Sequence, residues 1–143
     1  ADRLPAARYR VESTSAADAA AYEHAVTGND RTGDYSYWAA RPNAQVVCVR
    51  EDSEVVAVGA MGGDDVTYGP SHFFSAAAEH SAPALLSALK YSNRRCLVAL
   101  PGPHPALPTL VENHWRIVDV DQFVASVGGL VDPERLIPHS GLM

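Results

Sequence analysis

The sequence predicts an α/β fold in which a mixed, mainly antiparallel sheet is flanked by helices, and three observations carry that prediction. Apolar runs of strand length recur at residues 45–50, 54–61 and 96–100, with polar or turn-forming residues between them. Separate stretches place apolar residues at helical spacing, most clearly Leu85, Leu86 and Leu89. Turn-formers cluster at the boundaries, as in Arg41-Pro42-Asn43, Gly62-Gly63, Gly69-Pro70 and Pro101-Gly102-Pro103. At 143 residues the chain fits a single domain, 1–143, long enough to bury well over half of its unfolded surface.

Taken in order, residues 8–12 alternate and predict a first strand. Ser15 offers an N-cap oxygen with Asp18 three residues on, a shortened capping box that starts a helix over 16–26. Ala19, Tyr22 and Val26 share one face of it, and Gly28-Asn29 ends it because both tolerate left-handed backbone. A second helix covers 34–40, with Tyr35, Trp38 and Ala39 as its apolar side. Residues 45–50 and 54–61 form an antiparallel hairpin across Glu51-Asp52-Ser53. Val66-Thr67-Tyr68 opens a further strand, which Gly69-Pro70 cuts short. Residues 71–79 have no clean period, and Ala76-Ala77-Ala78 suits helix or loop. Ser81 is a good N-cap for a helix from Ala82, with Pro83 in its first turn and Ser92-Asn93 as its stop.

The stretch 95–126 organises the rest. Cys96 to Leu100 has the composition of a strand buried on both faces, and Pro101-Gly102-Pro103 breaks it. Residues 105–114 carry Ala106, Leu107, Leu110 and Val111 at helical spacing. After Trp115 the chain alternates again through Ile117, Val118, Val120, Phe123 and Ala125. The predicted order is βααβββαβαβ, followed by an irregular tail over 127–143 that packs back through Leu136 and Ile137.

Composition excludes several classes. Seventeen acidic residues against eleven basic give a net charge of -6, and no basic cluster exceeds Arg94-Arg95, which argues against a nucleic-acid groove. No apolar run approaches the ~18 residues of a membrane span. The start has no apolar signal core, so a cytoplasmic placement is expected. Cys48 and Cys96 both fall in predicted strands and read as small apolar residues kept reduced. Six scattered histidines, with no His-Glu-x-x-His and no Cys-x-x-Cys, argue against zinc. Gly-x-Ser-x-Gly is absent, so a hydrolase nucleophile elbow has no support.

The order strand, tight turn, short helix, strand, with Trp115 closing the helix, resembles the C-terminal half of the GNAT superfamily of N-acetyltransferases. That family fills the helix with a motif of roughly Asn-x-x-Ala-x-x-Leu-Tyr-x-x-x-Gly-Phe. Here Pro103-His104-Pro105-Ala106, through Leu110 to His114-Trp115, stands in its place. The resemblance runs back to about Arg8. It also runs on to Leu130–Arg135 and Pro138–Leu142, which look like the end of the second domain in bacterial tandem proteins of this type. It implies a splayed central strand pair, with acetyl-CoA in the gap as cosubstrate and acetyl transfer to a primary amine as the reaction.

The resemblance assigns roles residue by residue. The pantetheine arm would pair with Val66, Thr67 and Tyr68, although Tyr68 also reads as a strand aromatic packed on the sheet. The pyrophosphate would meet backbone N–H groups at a helix N-terminus through a glycine-rich loop. The matching residues 74–81 hold no glycine and include Glu79, leaving Ser81, the N–H groups of Ala82 and Ala84 and a protonated His80 as anion-binding groups, or else an ordinary capped helix. The family's acid, a Tyr, is replaced by Leu110. His104, where the family's Asn begins the helix, is a titratable substitute or a plain polar cap. Glu54, Asp64 and Asp65 are the nearest candidates for a base, though Asp64-Asp65 also suits turn chemistry. Tyr35 and Trp38 fall on the acceptor side or in the core. His114 stands where a glycine closes the helix in left-handed backbone, a region histidine can occupy, and Trp115 should be buried behind the sheet.

The expected function is a GNAT-like N-acetyltransferase domain with a degenerate pyrophosphate loop and no matching Tyr. The alternatives are a non-catalytic binding or assembly module beside a catalytic domain, and an acyl-CoA binding module without turnover. Expected partners are a small-molecule or peptide amine, an upstream GNAT domain or a second copy.

Overall fold

A computed structural model of the chain describes residues 4–102, 104–120, 132 and 134–137. Its strands form one antiparallel sheet in the order β1(Arg10–Ser13), β2(Gln45–Glu51), β3(Glu54–Gly62), β4(Gly69–Ser75), β5(Leu136–Ile137). The helices are α1(Ala16–Thr27), α2(Thr32–Ala39), α3(Ala78–Ser92) and α4(Leu107–Glu112). The α/β class and the mainly antiparallel sheet expected from the sequence are what the chain adopts.

Local chemistry accounts for the first half. Ser15 Oγ accepts the Asp18 N–H at 3.0 Å and donates to the Asp18 carboxylate at 2.7 Å, fixing the start of α1. Gly28, at φ 78°, closes its other end. The hairpin β2–β3 turns between Glu51 and Glu54, with the register slipping by one residue at Val49/Arg50.

The sheet separates two apolar clusters. On one face α1 and α2 pack Ala19, Ala20, Tyr35 and Trp38 against Val46, Cys48, Val58 and Phe74. On the other, α3 and Leu110 of α4 pack against Val47, Val49, Ala57 and Phe73.

Several expectations are corrected. Val66 and Thr67 are not in a strand; both N–H groups bond to Asp64 Oδ1 at 2.8 Å, and the carboxylate holds this stretch as an exposed turn. The strand runs through Gly69-Pro70 into residues 71–75, where the sequence shows no period because both faces are buried. A bulge at Ser71, with Ala60 opposite His72 and Met61 opposite Pro70, shifts the phase again. Helix α3 starts at Ala78, so Ser81 lies inside it on the buried side and is not its cap, and Pro83 lies beyond the first turn.

Cys96–Leu100 is not a strand of the sheet; among the described residues its backbone bond to the start of β4 is from the Leu97 N–H to Tyr68 O at 2.8 Å. Its burial alternates: Cys96, Val98 and Leu100 lean on the α3-side core, while Leu97 and Ala99 face outward. Residues 116–120 form no strand and expose Ile117, Val118 and Val120; Phe123 and Ala125 lie outside the described residues. Helix α4 is shorter than the predicted 105–114 span, and His114 takes the left-handed position after it at φ 62°. Trp115 is half-buried and packs against the α3-side core. The tail docks through Leu136 and Ile137 as expected, and does so as a strand.

Candidate functional site: the outer edge of β4 and the two clusters beside it

Strand β4 gives one edge to β3 and offers the other outward. At its start Tyr68 O receives the Leu97 N–H, and Gly69 has no side chain where the Leu97 carbonyl comes against it; a Cβ there would collide with that oxygen. At the far end of β4 the outer edge is taken by the tail, with Phe74 opposite Leu136, Phe73 opposite Ile137, and the Ser75 N–H donating to Arg135 O at 2.9 Å. Arg135 then reaches back along the strand. Its Nε donates to Ser75 O at 3.1 Å, its Nη2 to Ala76 O at 2.6 Å, and its guanidinium lies over the Phe74 ring at 5.3 Å.

The β4–α3 connection is therefore turned the wrong way for an anion. Its carbonyls at Ser75 and Ala76 face a cation, and the Ala76 N–H is spent on Val56 O at 2.9 Å. The N-cap, Ala77, has only a methyl group and makes no side-chain cap bond, and Glu79 puts a negative charge in the first turn of α3. Ser75 Oγ is buried and has no hydrogen-bond partner among the described residues.

On the α1/α2 face lies a buried ionic cluster. Glu23 sits on the apolar side of α1 with only 2% of its surface exposed. Its Oε2 accepts from Tyr35 OH at 3.0 Å and from His72 Nε2 at 2.8 Å, while Arg31 Nε lies 3.0 Å from Oε1. Burial pushes the Glu23 carboxyl up, but the bond and charge of His72, the Tyr35 hydroxyl and the Arg31 charge outweigh it and hold the carboxyl below its ordinary range. The Tyr35 hydroxyl is pushed far up by burial and by Glu23. Trp38 stacks on the His72 imidazole at 4.5 Å and Tyr35 meets it edge-on at 5.6 Å, so both the ring and its carboxylate are enclosed. A histidine and a glutamate so placed have the makings of an acid–base pair, but these side chains are closed off from solvent. They fasten α1 and α2 to β4.

On the α3 face, His104 is 2% exposed. Its Nδ1 accepts the Ala106 N–H at 3.1 Å, which leaves the proton on Nε2 to be donated to Ser81 Oγ at 3.0 Å. Burial pushes its pKa down to about 4, so it is a neutral clip between α3 and the turn before α4.

The expected site residues are thus dispersed. Tyr35 and Trp38 come together around His72, Ser81 and His104 meet across the sheet from them, and Ala82 is half-buried on α3. Tyr68 is buried at the start of β4 with the Arg94 guanidinium 4.7 Å over its ring, and Val66 and Thr67 stand apart in their turn. Glu23, His72 and Arg135 were missed. Glu23 had a signal: Ala16, Ala19, Ala20 and Glu23 follow i, i+3, i+4, i+7 as well as any apolar stripe of α1 does. Two open depressions mark the surface, one bordered by Arg8, Arg10, Arg50 and Glu51, the other by Val111, His114, Trp115 and Arg116; neither is lined by β4.

Among the described residues no His, Cys, Asp or Glu group is placed to hold a metal ion, and no helix is long and apolar enough to cross a membrane. No known family model, curated protein or solved structure matches the chain.

Proposed function

We propose that this chain is a GNAT-like domain that no longer turns over acetyl-CoA and serves as a non-catalytic binding or assembly module beside a catalytic domain. One observation carries the proposal: Arg135–Ile137 of the same chain lies along the outer edge of β4 at Phe73–Ser75, while the Val66 and Thr67 N–H groups expected to meet a pantetheine arm are bonded to Asp64 in a turn. Three further features support it. The loop ahead of α3 offers carbonyls to Arg135 where a pyrophosphate requires N–H groups. His104 is enclosed, and burial pushes its pKa down to about 4, which counts against it as the acid for a departing thiolate. Leu110 stands in place of the family's Tyr and is buried in the core.

The second reading, a working N-acetyltransferase acting on a primary amine, is supported by the Leu97 segment running beside the start of β4 with one described backbone bond, Leu97 N–H to Tyr68 O, in place of a ladder. A thermal-shift titration separates the two. A ligand at about 100 times its dissociation constant stabilises by about 2.7 kcal/mol, which for a chain of this size raises Tm by roughly 10 °C. The module predicts no rise at millimolar acetyl-CoA. A clear rise, with acetylation of any member of an amine panel, would replace it by the enzyme.

A further inference from the structure

The tail contact on β4 is short, yet chemically particular. Among the described residues two pairs are laddered, Phe73–Ile137 and Phe74–Leu136. The two aliphatic side chains go to opposite sides of the sheet: Ile137 enters the α3-side cluster, and Leu136 packs on the α1/α2 side. Arg135 supplies the third element, two hydrogen bonds from its guanidinium to Ser75 O and Ala76 O. Three consecutive residues therefore meet three different features of one strand edge. The β3–β4 ladder, from Ala57–Ser75 to Gly62–Gly69, uses the other edge and is independent of this contact.

We propose that the outer edge of β4 is a strand-acceptor site selective for arginine followed by two aliphatic residues. The chain's own tail fills it in cis, and the same tail segment from a second copy fills it in trans. Extended peptides add to open sheet edges in this way, with main-chain bonds giving affinity and side-chain pockets giving specificity. The second copy is the occupant that the chemistry names, because its Arg135-Leu136-Ile137 already matches the edge feature by feature. Reciprocal exchange of one identical element also closes as a two-fold pair. Because the tail and β3 bond to opposite edges of β4, the tail ladder can open without breaking the β3–β4 bonds. The tethered tail competes at an effective concentration on the order of millimolar, so exchange shows at high protein concentration or when the tethered copy is weakened. The proposal needs only this edge and is independent of the acetyltransferase-like reading, which the acetyl-CoA titration tests separately.

A fluorescent peptide with the sequence of residues 132–143 is titrated into the full chain and into its Arg135→Ala variant, with anisotropy as the readout. The variant should bind the peptide at least tenfold more tightly than the wild type, since its tethered competitor is weakened while the peptide keeps its arginine. A peptide carrying the same R135A change should bind neither chain. Sedimentation should show the wild type pairing at high concentration and the variant remaining single. Arg135→Lys keeps the charge without the forked donors and should fall between the two; it decides the matter if Arg135→Ala loses its cooperative unfolding transition. Equal affinity of the two chains, or binding that ignores the peptide's arginine, would overturn the proposal. So would acetyl-CoA occupying the edge while no peptide binds.

Discussion

His104 allows a prediction about stability and pH. In the unfolded chain its imidazole takes a proton near pH 6.5, whereas in the folded chain burial holds its pKa at about 4. Between those values the unfolded state binds the extra proton, so the histidine's contribution is complete above pH 6.5 and is lost as the pH falls toward 4. The full difference corresponds to roughly 3 kcal/mol, at about 1.4 kcal/mol for each pH unit. Replacing His104 by Gln removes the titration and keeps at most one of the two bonds to Ser81 and Ala106. At pH 7.5 the variant should therefore be less stable by about 1–2 kcal/mol. Urea unfolding of both proteins at pH 7.5, 6.5, 5.5 and 4.5 measures the difference, in which all other titrating groups cancel. The wild type should lose its advantage below pH 6.5 and fall behind the variant by pH 4.5. Parallel stability curves would refute the assignment of His104 as a buried neutral clip.

Two further predictions concern the sheet and its helices. Glu23→Ala leaves the Tyr35 hydroxyl, His72 and Arg31 around an empty place and should cost about 3–5 kcal/mol, read as a lower urea midpoint at unchanged slope; a loss below 1 kcal/mol would mean that the cluster does not fasten the helices. Gly69→Ala drives a Cβ into the Leu97 carbonyl and should cost about 1–3 kcal/mol, with faster hydrogen exchange at the Leu97 amide. Unchanged protection of that amide would contradict the close approach.

What was legible in the sequence follows local chemistry closely. The Ser15–Asp18 cap, the Gly28 stop and the hairpin around Asp52 are marked by residues whose backbone preferences leave few options. The left-handed His114 was legible only by analogy to a glycine at the same place. Strand β4 was hidden because Ser71, His72, Phe73 and Phe74 are all buried, which erases alternation, and because Pro70 is accommodated beside a bulge. The Glu23 cluster was hidden for a different reason. A glutamate on an alanine-rich helix reads as solvent-facing until its partners, 12 and 49 residues further along, are brought to it. The tail strand, described over Leu136–Ile137, is too short there to show a period, and its meaning lies in Arg135.

The partner that covers the end of β4 lies 60 residues downstream of it, as the Arg135–Ser75 bond shows. At ribosomal speeds of about 5–20 residues per second, β4 leaves the ribosome roughly 3–12 s before its cover does. For that interval Phe73 and Phe74 sit beside a bare row of backbone donors and acceptors, the kind of template on which nascent chains stick to one another. Yield and solubility in a cell are then decided while the protein is being made, by whatever shelters that strand until Arg135 arrives.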